Sequence, residues 1–336
     1  MIADIRLLGP LRARIGDVSV VPSAAKPRQL LALLAVHVGR IVTIDSLLAE
    51  LWEEEPPRSA ATTLQTYVLQ LRRRIAAAVG DGAGVSAKEL LATEHGGYRL
   101  SLPAESVDVL RARDLIARGQ QALAAGEDAT GSALLGQALK LWDGPTLVDV
   151  PAGPRLRIER MSLEESRLGA VELRIGADLR LGRHHRLLGE LTALTAEQPL
   201  HEALHAHYMV ALYRAGRAGQ ALEVFRRLRA TLIDELGLEP SPPVQRLHQA
   251  ILASHPDLDP AAAPGLDPAA VPGLDPAAAP GLDPAAVPGA VPGAASVAAP
   301  GAASVAVPGG GLPRERAGAL VGPGSTASRA PLQSWS

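Results

Sequence analysis

The stretch "SAATTLQTYVLQLRRRIAAAV", residues 59–79, decides the fold of the first hundred residues. It contains neither Gly nor Pro and repeats apolar side chains three or four apart, which predicts one long helix. At 100° per residue, Leu64, Val68, Leu71 and Ile75 share one face of that helix. The sequence therefore predicts an amphipathic helix whose leucine side packs on a domain core.

The opposite side of the same helix is short, polar and basic. Thr and Gln side chains can hydrogen-bond to base edges in a DNA major groove, and Arg can reach guanine or phosphate. An ordinary solvated helix face carries the same residue types, so the helix by itself leaves both interpretations open. The predicted DNA-contacting residues on it are Thr62, Thr63, Thr66, Leu69, Gln70, Arg72, Arg73 and Arg74.

Shorter elements flank this helix on both sides. The segment "IRLLGPLRARIGDVSVV" (5–21) predicts small antiparallel strands joined by Gly-containing turns. Two helices are predicted next, "KPRQLLALLAVHVGR" (26–40), ending at Gly39, and "TIDSLLAELW" (43–52). Past a Gly-rich loop, "LLATEHGGYRLSL" (90–102) indicates two paired strands. The predicted order is strands, three helices, hairpin.

Composition excludes several classes of protein. The chain has no cysteine, which removes disulfides, thiolate catalysis and Cys-ligated zinc. No lysine ends a G-x-x-x-x-G-K phosphate loop, so a P-loop NTPase is excluded. Residues 1–103 carry 12 Lys+Arg against 10 Asp+Glu, a net charge of +2 that permits nucleic-acid binding. No secretory or membrane-spanning stretch is recognisable, and we expect a cytoplasmic protein without a cofactor.

The middle of the chain contains an internal repeat with a period of 34 residues. That period and the spacing within each unit are typical of tetratricopeptide-type helix pairs. The glycines would form the turns between paired helices. The matching positions are Gly182, Leu187, Leu191 and Leu194 in the first unit, and Gly216, Ala221, Phe225 and Leu228 in the second.

The motif "HEALH" (201–205) matches H-E-x-x-H, the zinc-peptidase signature. A zinc metalloprotease is therefore an alternative function. The extended signature requires Gly at 208 and His at 211, where this chain has Tyr208 and Ala211. The repeat places the motif on a packing helix whose predicted apolar stripe is Leu200, Leu204, Tyr208 and Ala211. We interpret His201, His205 and His207 as solvated side chains of that helix.

Residues 256–336 are of low complexity. The octad "LDPAAAPG / LDPAAVPG" runs four times from Leu258 to Gly289, followed by related Ala-, Ser- and Val-containing units. Frequent Pro and Gly exclude both an α-helix and a hydrogen-bonded β-sheet, and the segment offers little apolar surface to bury. We expect a disordered tail, which serves as a spacer or is a genetic expansion.

The segments "KPRQLLALLAV", "PPRSAATTLQTYVLQLRRRI" and "GGYRLSL" together resemble an OmpR-type winged helix-turn-helix. Further along, "ALKLWDGPTLVDV", "LTAEQPLHEALHAHYMVALYRAGRAGQALEVFRRL" and "DELGLEP" resemble a bacterial transcriptional activation domain. This combination is similar to the SARP family of antibiotic regulatory proteins (AfsR/DnrI/RedD type). The resemblance covers roughly residues 3–253. It implies a mainly α fold with three parts: an α+β winged-helix domain (1–103), a TPR-like all-helical domain (104–255) and the tail (256–336).

The resemblance also implies a function: a transcriptional activator that binds direct repeats of double-stranded DNA and recruits the RNA polymerase holoenzyme. It would act on antibiotic biosynthesis genes and self-associate on DNA in the nucleoid. Residues 62–74 would form the recognition helix, and His95, Gly97 and Arg99 the DNA-contacting wing. The family commonly has "VSRLRR" where this chain has "VLQLRR" (68–73), which leaves its target sequence open. A helical-repeat scaffold that does not bind DNA is the other alternative.

Overall fold

The structure is a computed structural model that describes residues 3–80, 85–255 and 258. Apart from Leu258, the predicted tail lies outside these residues. The predicted fold class is confirmed: a small α+β part precedes an all-helical part. The helices are α1 Ala25–Val36, α2 Ile44–Trp52, α3 Ala60–Val79, α4 Ala87–Leu90, α5 Asp108–Ala124, α6 Asp128–Leu139, α7 Pro154–Arg180, α8 His184–Glu197, α9 Glu202–Arg214, α10 Ala218–Leu236 and α11 Pro242–Leu252.

Two three-stranded antiparallel sheets frame the first helices. The first has the order β1-β2-β3, from Ala3–Arg6, Arg12–Ile15 and Val18–Ser19. The second has the order β4-β6-β5, from Ile41–Thr43, Gly97–Leu100 and Leu91–Glu94. The hairpin of β5 and β6 was predicted, whereas β4 was not, because three residues between two helices carry no strand period of their own.

The three predicted helices of the winged-helix part are present, with one boundary corrected. Helix α1 ends at Val36 rather than at Gly39, and Gly39 donates its N–H to the carbonyl oxygen of Leu100 in β6. A short helix, α4, lies in the segment that was predicted to be a loop; Ser86 caps it reciprocally with Glu89. These differences arise from contacts to the hairpin and from local capping rather than from apolar periodicity.

Within the helical part, α7 to α10 form the two helix pairs that the 34-residue repeat predicts. Gly182 lies between α7 and α8 with φ +71°, and Gly216 lies between α9 and α10 with φ +73°. Both turns need the left-handed backbone region that glycine adopts without strain. One packing position was wrong: Leu200 is 39% exposed, because it lies in the turn before α9 instead of on that helix.

Buried carboxylates connect the two parts of the molecule. Glu50 of α2, 1% exposed, accepts hydrogen bonds from the backbone N–H groups of Gly153, Arg155 and Leu156 at the start of α7. Asp108 of α5 accepts from the N–H groups of Leu7 and Leu8. The apolar core around them runs continuously from β1 into α7. The winged helix is therefore fixed to the first helices of the activation domain.

Candidate nucleic-acid interface

Helix α3 presents its polar face to solvent. Its buried side chains are Leu64, Val68, Leu71 and Ile75, the four that the sequence predicts to share a face, together with Ala60. At 1.5 Å per residue this 20-residue helix is about 30 Å long, with the core along one whole side. Because the leucines fix its rotation about its own axis, the opposite residues have a fixed direction in space.

Most of the predicted contact residues lie on that open face. Thr62, Thr66, Leu69, Gln70, Arg73 and Arg74 are exposed, and Thr63 is half-buried. The Leu69 side chain is 48% exposed. Within the part of the chain that the structure describes, the guanidinium of Arg73 has no hydrogen-bond or ion-pair partner. Its donors are available to an external acceptor.

Arg72 lies on the flank of α3 and contacts the hairpin. Its Nε and Nη2 donate to the carbonyl oxygen of Leu91 at 2.9 and 2.7 Å, and Nη2 also donates to Oγ1 of Thr93 at 2.8 Å. The sequence predicts Arg72 to be a DNA-contacting residue and gives no sign of these partners. In the structure this side chain holds the hairpin of β5 and β6 against α3.

The wing is the turn between β5 and β6. His95 is exposed at its tip, and Gly96 has φ +79°. The carbonyl oxygen of Gly96 accepts from the N–H of Ile44 at the start of α2. Arg99 is half-buried and forms an ion pair with Glu94 across the hairpin. Strand β4, hydrogen-bonded along β6, therefore fixes the hairpin relative to α2.

Gly97, also predicted as a wing residue, is buried. A Cβ atom on it would lie 2.3 Å from the carbonyl oxygen of Val42 in β4. Glycine is needed there so that two strands can approach. The residue shapes the wing, whereas the exposed surface of the turn belongs to His95.

Arg58 was missed by the sequence analysis. It is exposed, two residues before the first residue of α3, and has no ion-pair or hydrogen-bond partner among the residues described. Its position beside the N-terminus of the predicted recognition helix was a usable signal, because that helix end attracts phosphate through its N–H groups.

The HEALH motif forms a buried packing site. His201 precedes α9, and its Nε2 lies 2.9 Å from Oε1 of Glu172 on α7, a hydrogen bond that raises the pKa of His201. His205 and His207 are buried, so their predicted solvated position was wrong. Burial, aided by nearby Arg180, lowers the pKa of His207 to about 4. Residues 3–80, 85–255 and 258 contain no cluster of three or more His, Asp or Glu side chains placed to hold a metal ion.

The same described ranges include no helix that is both long and apolar enough to cross a lipid bilayer.

Two family models match this chain. The model described as "Transcriptional regulatory protein, C terminal" matches residues 19–100, and "Bacterial transcriptional activator domain" matches residues 107–252. The regulatory protein DnrI of Streptomyces peucetius is 50% identical over 266 residues, which cover 77% of this chain and 98% of DnrI. The chain belongs to the SARP family of transcriptional activators. The resemblance of the sequence segments to that family is confirmed.

This SARP-family chain is also similar to larger regulators. AfsR of Streptomyces griseus is 38% identical over 252 residues, which cover 75% of this chain but only 25% of AfsR. The solved structure of Mycobacterium tuberculosis EmbR in complex with a low affinity phosphopeptide has 35% sequence identity and a TM-score of 0.70, and the match covers 76% of this chain and 66% of that one. The SARP-family chain is thus a transcriptional regulator of the DNA-binding type.

Proposed function

We propose that this protein is a sequence-specific activator whose helix α3 lies in the major groove of DNA. The observation that carries the proposal is the exposed Arg73, which has no partner among the described residues and lies on the open face of a helix whose rotation is fixed by buried leucines. An Arg guanidinium in that position can donate two hydrogen bonds to guanine O6 and N7. Thr62 and Thr66 would contact adjacent bases or phosphates from the same face.

The two substituted positions of "VLQLRR" would alter the sequence that is read. Gln70 is exposed beside Arg73, and its amide can pair with adenine N6 and N7. The exposed Leu69 can contact a thymine methyl group. We therefore expect a target sequence that differs from that of family members with Ser and Arg at these positions, with no loss of DNA binding.

The wing and the flanking arginines would contact the DNA backbone. His95 is exposed at the hairpin tip. Arg58 is exposed just before α3, and Arg74 is exposed on that helix next to Arg73. Phosphate contacts position a protein on the duplex and contribute salt-dependent affinity without reading sequence. Arg99 is already paired with Glu94, so its DNA contact would require exchange of that partner.

Two copies would bind side by side on direct repeats and recruit RNA polymerase through the helical part. The family membership supports this arrangement, and its relatives DnrI and AfsR are regulatory proteins. Because Glu50 joins α2 directly to the start of α7, the helical part of each copy would have a fixed orientation relative to its half-site. Genes for antibiotic or related secondary-metabolite biosynthesis are the proposed targets, with the protein on the nucleoid.

DNase footprinting of the promoters beside its own gene tests this function. The proposal predicts protection of two adjacent repeats in the same orientation, and transcription from the protected promoter that rises when the protein is added to purified polymerase. Protection of a single inverted repeat would overturn the side-by-side arrangement. No protected sequence at any neighbouring promoter, with unchanged transcription, would overturn the regulator itself.

A further inference from the structure

A groove with apolar and polar lining residues lies on the helical repeats. It has a volume of about 520 Å³ and is lined by residues of α8, α9 and α10. Val224 supplies apolar surface to it, and the buried Leu212 and Leu228 lie beneath. Oγ1 of Thr192 donates to the carbonyl oxygen of Leu188 and lies 2.9 Å from the hydroxyl of Tyr208, and both hydroxyl oxygens can accept a further hydrogen bond. Such a mixture of apolar and hydrogen-bonding groups suits an extended peptide.

The groove carries a positive charge. Arg217 and Arg227 line it together with one acid, Glu223. Arg227 and the neighbouring Arg226 both contact that acid, at 3.3 and 2.6 Å. Arg217 is exposed and has neither an ion pair nor a hydrogen bond within the described part of the chain. An acidic segment with small apolar side chains would complement this surface.

The chain contains such a segment immediately after these helices. Residues 256–313 hold five aspartates, at positions 257, 259, 267, 275 and 283, and no lysine or arginine. Each octad combines one leucine, one aspartate and small apolar residues. Pro in every octad lowers the entropy lost when such a peptide is ordered in an extended conformation.

The first octad already begins on the helical repeats. Its first residue, Leu258, is 3% exposed within the apolar cluster of α9, α10 and α11. Nε of Arg214 donates to the carbonyl oxygen of Leu258 at 2.8 Å. An octad leucine is thus held by apolar contacts and an arginine, and three further octads follow, from Leu266, Leu274 and Leu282.

The following octads are within reach of the groove. Helix α9, with 13 residues, is about 20 Å long, and eight residues of extended chain span at most about 28 Å. We propose that the groove between α8, α9 and α10 binds the second octad of the same chain, residues 266–273, with Asp267 on Arg217 and Leu266 against Val224. Tethering supplies an effective concentration in the millimolar range, so weak intrinsic affinity suffices.

Disulfide trapping in the full chain tests this proposal, because the parent has no cysteine. One variant combines Thr195→Cys in the groove with Ala270→Cys in the second octad; the control combines Ala117→Cys, exposed on α5, with Ala270→Cys. We expect the groove pair to form an intramolecular disulfide at least tenfold faster than the control pair. Equal rates would overturn the proposal, and a disulfide between two chains would overturn its same-chain form.

Charge substitutions added to the Thr195→Cys, Ala270→Cys variant distinguish binding of the octad from random collision of the two cysteines. Arg217→Glu should lower the trapping rate to that of the control pair, whereas Arg246→Glu, an exposed arginine on α11, should leave it unchanged. A second variant, with Asp267, Asp275 and Asp283 changed to Asn, alters only residues beyond the helical core and should slow trapping equally. Trapping that is insensitive to both Arg217→Glu and the triple Asn variant would contradict octad recognition.

Discussion

Arg72 donates hydrogen bonds to the carbonyl oxygen of Leu91 at 2.9 and 2.7 Å, which joins the flank of helix α3 to the first strand of the wing. Arg73, the next residue, is exposed and has no partner among the described residues. Two adjacent arginines of one helix thus differ: Arg72 is bonded to the hairpin, and Arg73 has its guanidinium available to the DNA that we propose α3 contacts.

Replacing Arg72 should weaken the fold, whereas replacing Arg73 should not. Arg72→Ala removes the bonds to Leu91 and Thr93, and we expect it to lower the free energy of unfolding by about 1–3 kcal/mol. Arg73→Ala, an exposed change without lost contacts, should stay within about 0.5 kcal/mol of the parent. Urea unfolding of both variants measures this difference. Equal stabilities would show that the bonds to the hairpin contribute nothing to the fold.

The exposed Arg74 should contribute to affinity through phosphate alone. Loss of one phosphate contact reduces the slope of log K against log salt by about 0.9, since fewer counterions are released. We therefore expect Arg74→Gln to flatten the salt dependence of DNA binding while the order of preferred sequences stays the same. Arg118→Gln, an exposed change on α5, is the matched control. A slope like that of the parent would remove Arg74 from the interface.

Glu50 should be the side chain on which the junction of the two parts depends most. Glu50→Ala leaves the N–H groups of Gly153, Arg155 and Leu156 without their carboxylate, and we expect a loss of about 3 kcal/mol in unfolding free energy. Glu50→Gln, which keeps an acceptor oxygen, should lose less. Thermal unfolding compares both with Glu55→Ala, an exposed change nearby. A similar melting temperature for Glu50→Ala and Glu55→Ala would contradict this assignment.

His207 should make the protein less stable in acid. Its pKa falls from 6.5 to about 4 on folding, mainly through burial, so the unfolded chain binds more protons between these values. Stability from this residue is present above pH 6.5 and is lost as the pH falls towards 4. Between pH 7 and pH 5 the loss should be about 2 kcal/mol.

The comparison of His207→Leu with His185→Leu isolates this effect, because His185 is exposed. His201 opposes the trend: its raised pKa makes the bond to Glu172 stabilising below pH 6.5, and this contribution fades as the pH rises through the folded pKa. Urea unfolding at pH 7 and pH 5 should show a smaller acid loss in His207→Leu than in the parent. An equal loss of unfolding free energy between pH 7 and pH 5 in the parent, His207→Leu and His185→Leu would contradict a role for the burial of His207.

Local patterns predicted helix α3 and its buried face well, because the residues that define both lie within twenty positions of one another. Leu64, Val68 and Leu71 recur at helical spacing, and the residues opposite them are the exposed ones. Strand β4 was beyond such reasoning, since Ile41–Thr43 forms a strand only where β6 pairs with it. Its partner lies more than fifty residues away in the chain.

The side chains that long-range packing controls were predicted less well. His205 and His207 follow a helix-friendly pattern that is compatible with solvent, and their burial depends on the contact of α9 with α7. Glu50 resembles a surface glutamate in the sequence. The backbone N–H groups that donate to its carboxylate lie more than 100 residues further along the chain. Arg72 could be placed on the flank of α3 but not against β5, because the position of the hairpin depends on the tertiary fold.

The most direct test of the account is the affinity of Arg73→Ala for a footprinted promoter site, measured at fixed salt beside Arg118→Ala. A base-contacting arginine contributes about 1–3 kcal/mol, so Arg73→Ala should bind this site roughly 5- to 150-fold more weakly while its affinity for unrelated DNA changes little. Arg118→Ala should bind like the parent. Parental affinity of the folded Arg73→Ala variant for the specific site would contradict the reading of DNA by helix α3.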